Sequence, residues 1–141
     1  MVDALKENYS ILIVDDQLGV RKLLFEALKD EFREVLIAAS GIEAIEKVQK
    51  SSPDLVVMDM KMPRMNGLEV LKHLRDMKYD NPVIMMTAYG ELEIVSEAAK
   101  MGVKRHITKP FDLQDLRKLI KDTFNETGKV KDPLAYYGNL S

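Results

Sequence analysis

The 141-residue chain contains no cysteine. That excludes a disulfide framework and a thiolate zinc site. No apolar run approaches the ~20 residues a spanning helix needs. The opening Met1-Val2-Asp3-Ala4-Leu5 lacks a signal-peptide pattern. An excess of charge of one sign is also missing. Twenty-one Lys and Arg stand against 23 Asp and Glu, interleaved, for a net charge of −2. Nothing here gives an electrostatic reason to bind nucleic acid or a membrane surface. Internal repeats and low-complexity tracts are absent too. The expectation is a soluble cytoplasmic protein. What is present suits a folded domain: 46% of residues are hydrophobic and 31% charged, and the length fits one domain of ordinary size.

The stretch Leu55-Val56-Val57-Met58-Asp59 organises the rest. Four apolar residues run into one aspartate, and Met60-Lys61-Met62-Pro63 follows. A short apolar run bounded by breakers reads as a buried strand, with Asp59 at its carboxyl end. A carboxylate there is a cap, a metal ligand or a nucleophile. Similar runs are Ile11–Val14, Val35–Ala38, Val83–Met86 and, more weakly, Val103–Ile107, which Lys104, Arg105 and His106 interrupt as in an edge strand. Helical spacing fills the intervals. Val20, Leu24, Ala27 and Leu28 form a stripe over residues 18–31, with Leu23 at its edge. Ser40, with Glu43 three residues on, opens a second helix carrying Ile42, Ile45 and Val48 inward. Leu68, Val70, Leu71 and Leu74 mark a third. Leu92, Val95, Ala98 and Ala99 mark a fourth, stopped at Gly102. Asp112 caps a fifth, with Leu116, Leu119, Ile120 and Phe124, ending at Gly128. Five βα units with apolar strands imply an α/β fold with a parallel sheet covered on both faces. The expected division is a lead-in over 1–9, one domain over 10–127 and a tail over 128–141.

In such sheets, sites form at the carboxyl ends of strands. That rim gathers Asp15 and Asp16 after the first strand, Asp59 after the third, Thr87 after the fourth and Lys109 after the fifth. A lone strand-end aspartate is usually a turn or cap residue; this many polar features on one rim is a different matter. Three clustered carboxylates repel and raise one another's pKa. A divalent cation removes that conflict, and hard oxygen donors without histidine favour Mg²⁺ over zinc. Lys109 and Thr87 suit the remaining oxygens of a phosphoryl group. Asp59 is then a candidate nucleophile for an aspartyl phosphate.

These residues carry a resemblance. Val14-Asp15-Asp16, Met58-Asp59-Met60-Lys61-Met62-Pro63 with Asn66-Gly67, Met86-Thr87-Ala88 and Thr108-Lys109-Pro110-Phe111 resemble the receiver domain of two-component response regulators, over roughly residues 9–127. Asp15-Asp16-Gln17, Gly19-Val20-Arg21, Tyr89 and His106 resemble most the single-domain regulators of sporulation phosphorelays. The resemblance implies a doubly wound (βα)5 flavodoxin-like sandwich of three layers, strand order 2-1-3-4-5. It implies that Asp59 accepts the phosphoryl group, with Thr87 and Lys109 binding its oxygens. Asp16 would ligate Mg²⁺ directly, Asp15 largely through water, alongside Asp59 and the Lys61 backbone carbonyl. The Lys109–Pro110 bond would be cis. His106 stands at the switch position, where the family usually has Tyr or Phe. An exposed edge-strand histidine is the simpler reading of it.

The implied partners are a sensor histidine kinase or a histidine phosphotransfer protein, docking on Gln17, Gly19, Val20 and Leu23. Leu18 and Phe25 share a helix face with this surface, although scattered exposed hydrophobes are also ordinary. Lys61 and Tyr89 flank the site, where the family tunes dephosphorylation. Met58, Met60, Met62 and Met65 read as adaptable packing. With no output domain in the chain, the phosphoryl group would pass to a second histidine protein or change binding to a target. Such a protein is no turnover enzyme; it catalyses only its own phosphorylation and dephosphorylation. A monomer is expected, with the final helix and residues 103–107 as the family's usual dimer faces. The competing class is an aspartate-nucleophile phosphatase, which needs a second aspartate two residues after the first. Lys61 occupies that place.

Overall fold

The computed structural model describes residues 8–126. Most of the expected lead-in, the expected tail with Leu134, Tyr136 and Tyr137, and the helix stop at Gly128 lie outside the described residues. The strands are β1 (Ser10–Val14), β2 (Glu34–Ala38), β3 (Leu55–Asp59), β4 (Val83–Thr87) and β5 (Arg105–Thr108). The helices are α1 (Leu18–Leu28), α2 (Gly41–Ser51), α3 (Gly67–Asp76), α4 (Leu92–Lys100) and α5 (Leu113–Glu126). All neighbouring strands pair in parallel, in the order β2-β1-β3-β4-β5. The architecture is therefore the expected doubly wound, flavodoxin-like sandwich.

The core has two halves because successive strand residues face opposite ways. Leu12, Val14, Val56, Met58, Val83 and Met85 meet Ala44 and Val48 of α2, Val70, Leu71 and Leu74 of α3, and Ala98 of α4. Ile11, Ile13, Leu55, Val57, Ile84 and Met86 meet Leu24 and Leu28 of α1 and Leu116, Ile120 and Phe124 of α5. Each fully buried side chain of this kind contributes about 1.5–3 kcal/mol. β1, β3 and β4 are buried along their whole length, as strands covered on both faces must be. Tyr9, grouped by sequence with the polar lead-in, is buried instead, its ring 4.9 Å from that of Phe124.

Caps set where the helices begin and end. Ser40 accepts from the Glu43 N–H, and the Glu43 carboxylate reaches back to the Ala39 N–H. Asn66 and Glu69 form a full capping box at α3. Asp112 accepts from the Gln114 N–H at the start of α5. Gly102, at φ +85°, closes α4 as expected, since that conformation costs a residue with a Cβ.

One inward assignment, Ile42, is corrected, and two of the apolar residues that mark α4, Leu92 and Ala99, are exposed. Ile42 and Leu92 are 61% and 77% exposed, and Gly41 and Ala44 are the buried residues of the α2 start. Ile42 and Leu92 both sit in the first turn of their helices. Ala99 is exposed too, which leaves Ala98 as the one buried residue of α4. α1 ends at Leu28, not at 31, and β5 starts two residues later than expected.

Candidate functional site

Because every strand runs the same way, every strand end and every helix start lies on one rim. β1, at the centre of one half, delivers Asp15 and Asp16. β3, its neighbour, delivers Asp59. β4 ends on Thr87, and Lys109 follows β5, with its N–H donating to the Thr87 carbonyl at 2.8 Å. Four strands thus deliver these residues to one rim. One carboxylate oxygen each from Asp15, Asp16 and Asp59 lies within 4.8 Å of the other two. Asp15 is fully buried, Asp59 is 7% exposed and Thr87 2%, whereas Asp16 opens to solvent.

The charges are arranged so that the buried acids have partners. Lys109 Nζ lies 2.6 Å from Asp15 Oδ2 and 3.4 Å from Asp59 Oδ2. The Lys61 N–H donates to Asp59 Oδ1 at 3.1 Å, and the Gln17 N–H to Asp15 Oδ1 at 2.9 Å. Burial raises the Asp59 carboxyl above its ordinary value; the Lys61 N–H and Lys109 oppose this, and Asp15 adds to it. Burial pulls the Lys109 ammonium down, but its bond to Asp15 and the charges of both carboxylates outweigh this, so its pKa is raised. It is therefore a cation at neutral pH.

The loop after β3 is braced. The Met60 N–H donates to the Met86 carbonyl and the Gly67 N–H to the Met60 carbonyl, both at 3.0 Å. A Cβ on Gly67 would come within 2.7 Å of Met60 Cα, so only glycine lets α3 begin this close to the strand end. Met58, Met60 and Met62 are buried, and Met65 packs on the same core. The Lys109–Pro110 peptide is cis.

The flanking residues are placed as follows. Tyr89 is 94% exposed on the turn after β4, closed by the Glu91 carboxylate accepting from the Ala88 N–H. Lys61, Gln17 and Gly19 are exposed. Leu18 and Leu23 are 57% and 62% exposed, Phe25 is half-buried, and Val20 packs against the core. His106 is exposed on the edge strand β5. Sequence reasoning missed Arg21, whose guanidinium donates to the Asp15 carbonyl at 2.8 Å. A signal existed, because helical side chains lean toward the helix start, and Arg21 stands one turn into α1.

The donor set is all oxygen, three carboxylates with one open to water, and none of its residues is His or Cys. That fits a hard divalent cation. Fold and rim together define a doubly wound α/β module with a cluster of carboxylates, two of them buried, at the ends of its strands. Comparison agrees: the model of the response regulator receiver domain matches residues 11–121. Sporulation initiation phosphotransferase F of Bacillus subtilis is 45% identical over 114 residues, 81% of this chain and 92% of the relative. Chemotaxis protein CheY of the same species is 37% identical over 118 residues, 83% of this chain and 98% of the relative. The crystal structure of a CheY-like receiver domain protein from Methanospirillum hungatei superposes with a TM-score of 0.80 at 32% identity, covering 86% of this chain and 97% of that one. The chain belongs to the response regulator receiver domain family.

Proposed function

We propose that this receiver domain takes a phosphoryl group from a phosphohistidine protein onto Asp59 and passes it on to a second histidine protein. The observation that carries this reading is the convergence of three carboxylates and Lys109 on one rim. An Asp59 carboxylate oxygen attacks phosphorus. A P–O bond forms, the P–N bond to the imidazole breaks, and the imidazole leaves with the electron pair and is protonated. Lys109 already lies between Asp15 and Asp59, where it can follow a phosphoryl oxygen. The Thr87 hydroxyl donates only weakly, at 3.5 Å, to the Ile107 carbonyl. It is therefore easily exchanged for a phosphoryl oxygen. Mg²⁺ held by Asp15, Asp16, Asp59 and the Lys61 carbonyl would supply charge neutralisation for the crowded anions.

Leu18 and Leu23, exposed on α1, with Gln17 and Gly19 at its start, form the surface that a kinase or phosphotransfer protein meets. Val20 supports it from beneath. Tyr89 and Lys61 stand where they govern water's approach to the acylphosphate, and His106 stands at the β5 switch position. The working unit is residues 10–127, in the cytoplasm. A pure effector, which changes binding to a target without passing the group on, is the alternative, and CheY is among the relatives. Labelled phosphate transferred from a histidine protein to the wild type but not to Asp59→Asn supports the acceptor role. Return of label from Asp59 to a second histidine protein supports the relay. Tight phosphorylation-dependent binding without return contradicts it.

A further inference from the structure

We propose that Arg21 is a positioning residue for the acidic pair, acting on Asp15 and Asp16 through the peptide that joins them. This rests on the cation-binding reading of the rim given above. Asp15 is fixed at every polar group. Its N–H donates to the Ala38 carbonyl at 3.1 Å. Its carboxylate accepts from the Gln17 N–H and from Lys109, and its carbonyl accepts from Arg21 at 2.8 Å.

The Arg21 bond has a particular consequence. The Asp15 carbonyl and the Asp16 nitrogen belong to one rigid plane, which also contains both Cα atoms. Holding that carbonyl fixes the direction in which Asp16 leaves Asp15, and so the point from which the Asp16 side chain starts. Asp16 is exposed and gains no restraint from burial. β1 ends at Val14 and α1 starts at Leu18, so the acids sit on a short connection whose Asp15 N–H still reaches β2 but whose Asp16 lies beyond the strand. Arg21, rooted in α1, ties that connection to the helix.

Two roles of Arg21 predict effects of opposite sign. A bystander cation beside three carboxylates repels Mg²⁺, and removing it tightens binding. A positioning residue organises the donors, and removing it weakens binding. Partners standing behind a metal ligand are typically worth ~10–100-fold in affinity. The experiment is a Mg²⁺ titration of the full chain, without phosphodonor, read by calorimetry and by the amide signals of Asp15, Asp16 and Asp59.

Arg21→Met should weaken binding about tenfold, at the lower end of that range, since one hydrogen bond is lost. Arg21→Lys keeps charge and donor and should recover most of the affinity. Lys22→Met removes a neighbouring exposed charge that makes no such bond, and it should bind as the wild type or slightly tighter. Amide signals away from the rim should match the wild type in all three. If Arg21→Met does not fold, Arg21→Leu, which also lacks a donor, carries the same expectation. Wild-type or tighter Mg²⁺ binding by Arg21→Met or Arg21→Leu overturns the proposal. Asp16→Asn separates the two readings: loss of binding there upholds the cation site, and wild-type binding there means that the site reading itself fails.

Discussion

Asp59 is more readily protonated in the folded chain than in the unfolded one, because burial outweighs its cationic partners. A raised folded pKa contributes stability that is full below the unfolded carboxylate value near ~4 and is lost as pH rises through the folded value. Ionised Asp59 is thus a cost to the fold. Asp59→Asn, neutral throughout, should melt a few degrees higher than the wild type in metal-free buffer at neutral pH, and the two should converge in acid. Calorimetry across about pH 3 to 8 checks this; a variant less stable at neutral pH contradicts it. Lys109 works in the other direction. Lys109→Met leaves fully buried Asp15 without its cation. It should cost about 1–2 kcal/mol in denaturant unfolding, less than the ~3–5 for a wholly buried pair, because Lys109 is 26% exposed.

The connection from β3 to α3 makes a separable pair of predictions. Asn66→Ala removes one half of the capping box and should cost about 1 kcal/mol of stability, with phosphorylation of Asp59 near the wild-type rate. Gly67→Ala drives a methyl group against Met60 backbone. It should cost about 1–3 kcal/mol and slow phosphorylation as well, because the displaced segment carries Asp59 and Lys61. Equal rates for the two variants would mean that the brace does not position the site. For α1, Ser at Leu18 and Leu23 together should slow transfer from a histidine protein while leaving a small phosphoramidate donor unaffected. Equal losses with both donors would remove the docking role. The elements were legible from apolar spacing because strands buried on both faces leave unbroken apolar runs. The errors fall where spacing carries no information about coverage. Ile42 and Leu92 both occupy first helical turns and are exposed, and a periodic stripe does not reveal which of its members the fold leaves uncovered.

Taken together, the parallel order does the positioning. It places five strand ends and five helix starts on one rim, so the residues of the site come from across the sequence yet needed only their place after a strand to be found. Asp15, Asp59, Thr87 and Lys109 were legible on that ground. Arg21 was overlooked, because its place inside a helix rather than after a strand kept it off the rim's list, although the lean of helical side chains toward the helix start pointed to it. Gly67 was legible as a loop residue, but its closeness to Met60 was not, since close approach between segments leaves no mark in spacing. Tyr9 was misplaced because its polar neighbours hid its packing against Phe124 at the far end of the chain.

The central claim is that Asp59 accepts the phosphoryl group with the help of a divalent cation. The direct measurement is mass spectrometry of the intact chain after incubation with a small phosphoramidate donor, with Mg²⁺ or with chelator. The account predicts a single phosphate adduct, mapped to Asp59, formed in Mg²⁺, lost with chelator and absent from Asp59→Asn. No adduct in a chain shown to bind Mg²⁺, or an undiminished adduct in Asp59→Asn, would contradict it.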